Sequence, residues 1–559
     1  MSGLRAANAA RLVPGAANAA AREGCAVSGG FRHDDACDCD VLVVGGGLVG
    51  LAASMFMAQQ GLRVWLVERH AATSSHPKLR GVSARTMELY RSAGIEEVIR
   101  AAGEDHLGVA IGDTLSGEYE RVHLPLALAR QNWLSPTTHY ACDQDRMEPI
   151  LLQRSAELGA QLFYGCTVVN IEQHESTVTA DVVWSSSTAG TPTPSSPPSR
   201  ITARYLVAAD GARGTIRTSL GIDRHGHPIP GKGLSVLFDA DLEPALRGRR
   251  ISALFAPARS ALLFARSDAR DHNWFALTPR TELESVDPDS IATDAIPMIR
   301  SLIGVADLDI AIHSAMTWST GAFVADRYRA GRIFLVGDAA HLMPPYGGFG
   351  GNTGIGDAHN LAWKLAAVCS GAAGDALLDT YESERQPITE FTLKHVMLRA
   401  GNGMGQFFRQ FDGFDPNPIT LGFRYPMATA VGFDPELPIE DPARPSGQPG
   451  TRAPHIALKG AASSTLDLLD PGGFTFLAPD DSSYASTLRS HPVSGVRLRE
   501  IRRQEIADRH TWDRIFSAPA AAGVLIRPDG VICWRAQSTH TDPALVMRTA
   551  RARALHSKT

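Results

Sequence analysis

A chain of 559 residues exceeds the roughly 250–300 residues at which single hydrophobic cores stop growing, so two or three domains are expected. Hydrophobic residues make up 44% and charged residues 20%, ordinary globular values that support sizeable cores and keep disorder local. The formal net charge of -5 argues against the basic stripe that nucleic acid requires, and no run of about 18 apolar residues spans a membrane, so a cytoplasmic protein acting on small molecules is expected.

Residues 1–39 carry Arg5, Arg11 and Arg22 among alanines without the unbroken apolar segment of a secretory signal, and read as a disordered extension, with a targeting presequence the weaker alternative. The seven cysteines are odd in number and scattered, which is no disulfide framework. The cluster from His33 to Cys39 lacks the second ligand pair of a structural zinc site, so no metal is expected.

From Asp40 the pattern becomes a βαβ unit: Val41–Val44 is a short apolar run, Leu51–Gln60 has helical character, and Val64–Val67 is a second strand. Similar runs recur at Tyr205–Ala209 and Ile333–Val336, each followed by an Asp beside a Gly. Three parallel strands would thus present their carboxyl ends to one ligand. Alternating runs at Ser235–Ala240 and Ala261–Ala265 predict an antiparallel sheet inserted at about 221–324 into a domain spanning 40–433. The Ser/Thr/Pro-rich stretch Ser185–Ser199 predicts a surface hairpin loop. Helical patterns follow through Ala358, Leu361 and Leu365 and from Tyr381 to Arg399. A proline-rich linker at 434–454 then leads to a second α/β domain over 455–559, with a strand at Phe474–Leu477 and a hairpin turning on Pro528-Asp529-Gly530.

In Gly45-x-Gly47-x-x-Gly50 the first glycine makes a tight turn, the second admits a pyrophosphate and the third lets helix pack on strand. Leu48 and Val49 lie inside this loop, and Glu68, with Arg69 beside it, ends the next strand where a ribose hydroxyl would be met. Farther on, Asp338 follows a strand, and the glycine-rich segment that runs through Gly351 to Asn352 permits close backbone approach to a flat ring. The helix starting near Asn352 would aim free N–H groups at negative charge on that ring. His341 within this segment is assigned a structural role.

Together, Gly45 to Gly50 with Glu68, the pair Asp210-Gly211 with Arg213 and Arg217, and the stretch from Asp338 to Asn352 resemble the single-component FAD-dependent aromatic hydroxylases, the group of para-hydroxybenzoate and phenol hydroxylases. His76 to Arg80, Arg85 to Glu88 and Cys142 to Gln144 are most similar to its polyketide-tailoring branch. The resemblance implies a Rossmann-like FAD-binding domain with an inserted substrate sheet and a C-terminal thioredoxin-like domain. That domain lacks Cys-x-x-Cys, Cys533 being its one cysteine, so dithiol exchange is not expected.

The resemblance also implies a cycle in which NAD(P)H reduces FAD, O2 forms a flavin C4a-hydroperoxide, and an electron-rich ring is hydroxylated. Arg85 and Gln144 would lie along FAD, and the Asp210 segment, with Arg213, would serve both cofactors. Pro345, Gly347 and Gly348 would line the ring side where substrate and oxygen meet. The substrate, a phenolic or quinonoid and polycyclic aromatic, would sit against the inserted sheet, with His227, Arg266 and Trp274 as candidate contacts. Either a monomer or a homodimer is compatible with this expectation. Epoxidation or Baeyer–Villiger insertion by the same flavin, and a non-catalytic homologue that binds FAD or an intermediate, remain alternatives. A second Gly-x-Gly-x-x-Gly is absent, as is the Trp-x-Trp element of flavin halogenases.

Overall fold

The computed structural model describes residues 37–104, 109–122, 133–184, 198–249, 251, 253–259, 261–265, 273–280, 288–400, 415–427, 437–516, 521–537 and 543–556. The N-terminal extension up to residue 36, most of the Ser185–Ser199 loop and Arg266 lie outside them.

Strand β1 (Cys39–Val44), helix α1 (Leu48–Gln59) and strand β2 (Val64–Glu68) form the first βαβ unit. β1 pairs in parallel with β2 on one side and with β3 (Ser199–Ala208) on the other, in the register Leu42 to Trp65 and Leu42 to Leu206. Being central, β1 is covered on both faces, which is why its run of valines and leucine has no polar alternation. α1 begins at Leu48, three residues before the expected start, because the Gly47 carbonyl accepts the first helical bond from Leu51 N at 2.9 Å. It is buried almost all round because other helices pack against it, including those at Gln144–Glu157 and Phe349–Cys369. Helix α2 (Ala84–Ser92) follows, its first turn capped by the Ser83 hydroxyl.

The inserted sheet is built on β4 (Arg224–Asp239) and β5 (Ala311–Ala325), paired antiparallel in the register Ser235 to Met316. Alternation sets its two faces. Leu234, Val236, Phe238, Leu254 and Leu263 bury against Ile299, Leu302 and Ile303 of a covering helix at Pro288–Ile303. Their neighbours Ser235, Leu262 and Phe264 face the other way. The sheet also recruits strands Val109–Gly112 and Tyr119–Val122 from well before the insertion. The chain then returns to the first sheet with β6 (Ile333–Leu335), parallel to β3, and continues into helices α3 (Phe349–Cys369) and α4 (Ala376–Ala400).

The trailing domain has four strands: β7 (Phe474–Pro479) lies parallel to Val496–Ile501 and antiparallel to β8 (Ala521–Ile526), which forms a hairpin with β9 (Ile532–Gln537). With helices at Ser483–Ser490, Arg509–Phe516 and Pro543–Ala554, this is the expected thioredoxin-like α/β arrangement. The segment expected as a linker is irregular over its described part, 437–454, but packed. Arg424 bridges to Thr451 and Arg452 to Val531, and Thr451, Arg452 and Ala453 are buried. Among the described residues, no helix is long and apolar enough to cross a membrane.

Candidate functional site

The carboxyl ends of β1, β3 and β6 open into a cleft of about 1480 Å³ that continues to the inner face of the inserted sheet. That exceeds the roughly 300–1,000 Å³ of an ordinary small-molecule pocket and leaves room for a dinucleotide and a second ligand.

The three glycines of the first loop do three different things. Gly45 has φ 108°, and a Cβ there would lie 2.3 Å from the Ala209 carbonyl oxygen. A Cβ at Gly50 would lie 1.9 Å from the Gly45 carbonyl oxygen, so the helix seats directly on the turn. At Gly47 nothing lies nearer than Glu148 Oε1 at 3.9 Å, which leaves an open cradle facing the cleft. Leu48 and Val49 complete the cleft wall here. Glu68 accepts hydrogen bonds from Gly46 N at 2.6 Å and His70 N at 2.8 Å, so it braces the loop while its carboxylate keeps acceptor capacity.

Two carboxylates at the other strand ends face the same space. Asp210 Oδ2 accepts from Ile216 N at 3.1 Å, whereas Oδ1 is buried without a partner. Burial pushes this carboxyl above its ordinary range, a state relieved by a hydroxyl donor. Asp338 lies deep in the molecule, yet its side chain is exposed to the cleft itself. Its carboxyl is also raised by burial, with Lys78 and His341 opposing. Behind it, Asp357 accepts from His341 Nε2 at 2.7 Å, Gly337 N at 3.2 Å and Arg385 Nε at 2.8 Å, which confirms His341 as a buried brace.

Gly347 and Gly348 adopt φ 77° and 68°, conformations that fold the backbone over the cleft. α3 starts at Phe349, slightly earlier than the sequence suggested, and no side chain caps it, so its first amides open toward the cleft at Gly350 and Gly351. Asn352 also lines the cleft, but its amide is spent internally. It donates to Gly81 O at 2.9 Å and Gly348 O at 2.7 Å, and accepts from Ser83 N at 2.9 Å and Thr86 Oγ1 at 2.6 Å. An open glycine cradle, an orphaned carboxylate oxygen and an uncapped helix start together fit FAD.

Of the other expected residues, Arg69, Gly211, Arg213 and Pro345 line the cleft. Gln144 does too, its amide donating to Glu148 Oε1 at 2.7 Å. Arg217 instead caps its own turn through the Ile222 carbonyl. Arg85 is not among the cleft residues and donates instead to Glu88 Oε2 at 2.9 Å and to the Asp529 carbonyl at 3.0 Å. His227 is likewise elsewhere in the fold. It is exposed on the outer stretch of β4, beyond the irregularity between Pro228 and Lys232, and is not among the cleft residues. Trp274 pairs through its backbone with Phe238 and Ala265, inside the inserted sheet.

The sheet face of the cleft instead presents Leu262, Phe264, Met316 and Trp318, with Ser235, Thr317, Ser319 and Arg224 as polar members. Ser235 Oγ meets His76 Nε2 at 2.8 Å, and His76 Nδ1 meets Ser314 Oγ at 2.7 Å. No periodic signal marks His76, which sits in an irregular segment. Nearby, Arg80 lies between Asp143, at 3.1 Å, and Glu104, with its guanidinium 6.0 Å from the Phe264 ring. Burial lowers the His139 imidazole to about 4, so it borders the cleft uncharged.

Comparison with known proteins agrees with this geometry. The FAD binding domain family matches residues 38–395, and the aromatic-ring hydroxylase C-terminal family matches 446–556. A tetracenomycin A2 monooxygenase-dioxygenase of Streptomyces glaucescens is 34% identical, covering 92% of this chain and 96% of its own. A 4-methyl-5-nitrocatechol 5-monooxygenase of a Burkholderia species is also 34% identical, over 91% of this chain and 96% of its own. The crystal structure of aklavinone-11 hydroxylase with FAD and aklavinone superposes with a TM-score of 0.82 at 30% identity, covering 94% of this chain and all of that one.

Proposed function

Because this chain belongs to the FAD-dependent aromatic-ring hydroxylases, we propose that it uses NAD(P)H and O2 to place one oxygen atom on a phenolic or quinonoid, polycyclic aromatic ring. The observation that carries this reading is the continuity of the cleft. The open cradle at Gly47 and the sheet residues Leu262, Phe264, Met316 and Trp318 line one continuous cleft.

Bound FAD would supply the oxygen-activating chemistry. The chain's own residues would do the rest. Gly47 would admit the pyrophosphate, Glu68 and Arg69 would meet the adenosine ribose region, and Asp210 and Asp338 would take hydroxyl donors. The uncapped amides at the start of α3 would favour negative charge at the ring edge. Pro345, Gly347 and Gly348 would form the wall between ring and substrate, and the apolar residues of the sheet face would help exclude water from the bound substrate. Arg213 would contact the nicotinamide cofactor. Ser235 would accept a hydrogen bond from a ring hydroxyl of the substrate and, by passing its own proton to His76 Nε2, would relay the ring hydroxyl's proton to the imidazole, leaving the ring more electron-rich. The relatives named for tetracenomycin A2 and aklavinone support the polycyclic reading, the equally similar relative named for 4-methyl-5-nitrocatechol supports a smaller phenol, and Trp318 and Phe264 offer the surface that favours the former.

The test is direct. Purified protein supplied with FAD should be yellow, should oxidise NAD(P)H faster with a polycyclic phenol or quinone, and should carry one atom of labelled O2 into the product. NAD(P)H oxidation that stays at background across a panel of such aromatics would overturn the catalytic reading in favour of a binding homologue. Product connectivity separates ring hydroxylation from epoxidation or Baeyer–Villiger insertion.

A further inference from the structure

We propose that the β8–β9 hairpin of the trailing domain is a positioning element of the flavin site, holding the Gly347–Gly348 loop and the Asp338 turn from behind through Arg85 and Arg527. The inference goes beyond the proposed reaction and rests only on FAD occupying the cleft.

Hairpin tips ordinarily lie in solvent. This one does not: Arg527 and Asp529 are 4% and 3% exposed. Arg527 donates to Glu384 of α4 at 2.6 and 2.9 Å and to Asp529 Oδ1 at 3.0 Å, with its guanidinium 5.0 Å from the Trp363 ring of α3. Lys364 and Asn360, also on α3, reach Glu384 Oε2 at 2.8 Å each, and Asn360 reaches Asp529 Oδ2 at 3.3 Å. Two cations and two carboxylates thus cancel in a buried cluster on the helix whose other end faces the cleft.

Two paths lead from this cluster to the two halves of the flavin motif, the first starting on a hydrogen bond and the second on a cation–π contact. In the first, Arg85 takes the Asp529 carbonyl at 3.0 Å, and its neighbour Thr86 donates to Asn352 Oδ1 at 2.6 Å. Asn352 in turn holds Gly348 O at 2.7 Å. In the second, Tyr425 lies 5.6 Å below the Arg527 guanidinium and accepts from Arg385 NH1 at 3.0 Å. Arg385 holds Asp357, which accepts from Gly337 N beside Asp338.

The contact combines these polar groups with apolar packing of Val531 against Ile388, Phe423 and Tyr425. A cavity of about 60 Å³, lined by Arg85, Thr86, Asn352, Asn360 and Asp529, separates the hairpin from the loop. The loop itself runs through two consecutive left-handed glycines, which have no side chains to anchor it. With Cys533 as its one cysteine, the trailing domain has no dithiol to contribute, and its contribution is mechanical.

The test uses the full chain with Arg85→Gln, Arg85→Lys and Thr86→Val, reading FAD affinity by flavin-fluorescence titration and exposure of the bound ring by iodide quenching, well below the unfolding temperature of each variant. Arg85→Gln and Thr86→Val are expected to weaken FAD about tenfold or more, the scale of losing one hydrogen bond to a charged or buried partner, and to raise quenching. Arg85→Lys, keeping the charge and a donor, is expected to stay within about threefold of the parent. Folded Arg85→Gln with affinity and quenching within about twofold of the parent would overturn the proposal. If Arg85→Gln does not fold, the same outcome in Thr86→Val, which severs the first path without touching the hairpin, overturns it equally.

Discussion

Glu88 and Arg452, 364 residues apart in the chain, meet in a buried ion pair, with Arg452 Nε 2.9 Å from Glu88 Oε2. Arg85 and the Ser135 hydroxyl also bind this carboxylate. Burial by itself would raise the Glu88 carboxyl, but the guanidinium groups of Arg452 and Arg85 outweigh it and hold the group below its ordinary range. A depressed carboxylate contributes stability above its unfolded pKa and loses it as pH falls through the folded value. Thermal unfolding of the parent should therefore weaken below about pH 5, and Glu88→Gln should show a shallower acid dependence. Glu88→Ala, which strands buried arginine charge, should cost about 3–5 kcal/mol by denaturant unfolding at neutral pH. Equal acid slopes for parent and Glu88→Gln would contradict this assignment.

Gly47 and Gly50 should separate binding from folding. Gly47 has φ -78°, a value any residue adopts, and its missing side chain faces open space. Gly47→Ala should leave apoprotein stability within about 0.5 kcal/mol and still weaken FAD about tenfold or more. Gly50→Ala drives a methyl into the Gly45 carbonyl and should cost about 3 kcal/mol or more in the apoprotein itself. Denaturant unfolding and FAD titration on both variants distinguish the two roles.

His76 and Ser235 should matter to turnover and not to cofactor affinity. Ser235→Ala and His76→Asn are expected to slow aromatic hydroxylation about tenfold or more, with FAD affinity within about twofold of the parent. Were FAD affinity to fall as far as turnover, His76 would be only a brace between its segment and the inserted sheet.

Thiol chemistry offers an independent check on the fold. Burial pushes the Cys142, Cys166, Cys369 and Cys533 thiols up to about 12, and raises Cys39 further. Thiolate is the reactive form, so at pH 8 these five should resist a disulfide reagent in the native protein and react together on unfolding. Mass mapping of the modified cysteines reads this out, and rapid native labelling at Cys533 would contradict the packing of the trailing domain.

The residues of the chain by themselves determined the dinucleotide-binding strands, the glycine loop, the Asp338 segment and the Pro-Asp-Gly hairpin. These signals are local: backbone sterics at glycine, alternation of apolar side chains, and acids placed where a strand must end. Tertiary structure decided where long side chains point. Arg85 sits within a few residues of the cleft yet turns toward Glu88 and Asp529, acceptors supplied by another turn of helix and by a domain hundreds of residues away. Packing of distant segments likewise brought His76, not His227, to the cleft, added strands at 109–122 to the inserted sheet, and buried a hairpin tip that would ordinarily be solvated. Burial and charge pairing settle these choices only once the chain has closed on itself, so no window of neighbouring residues contains them.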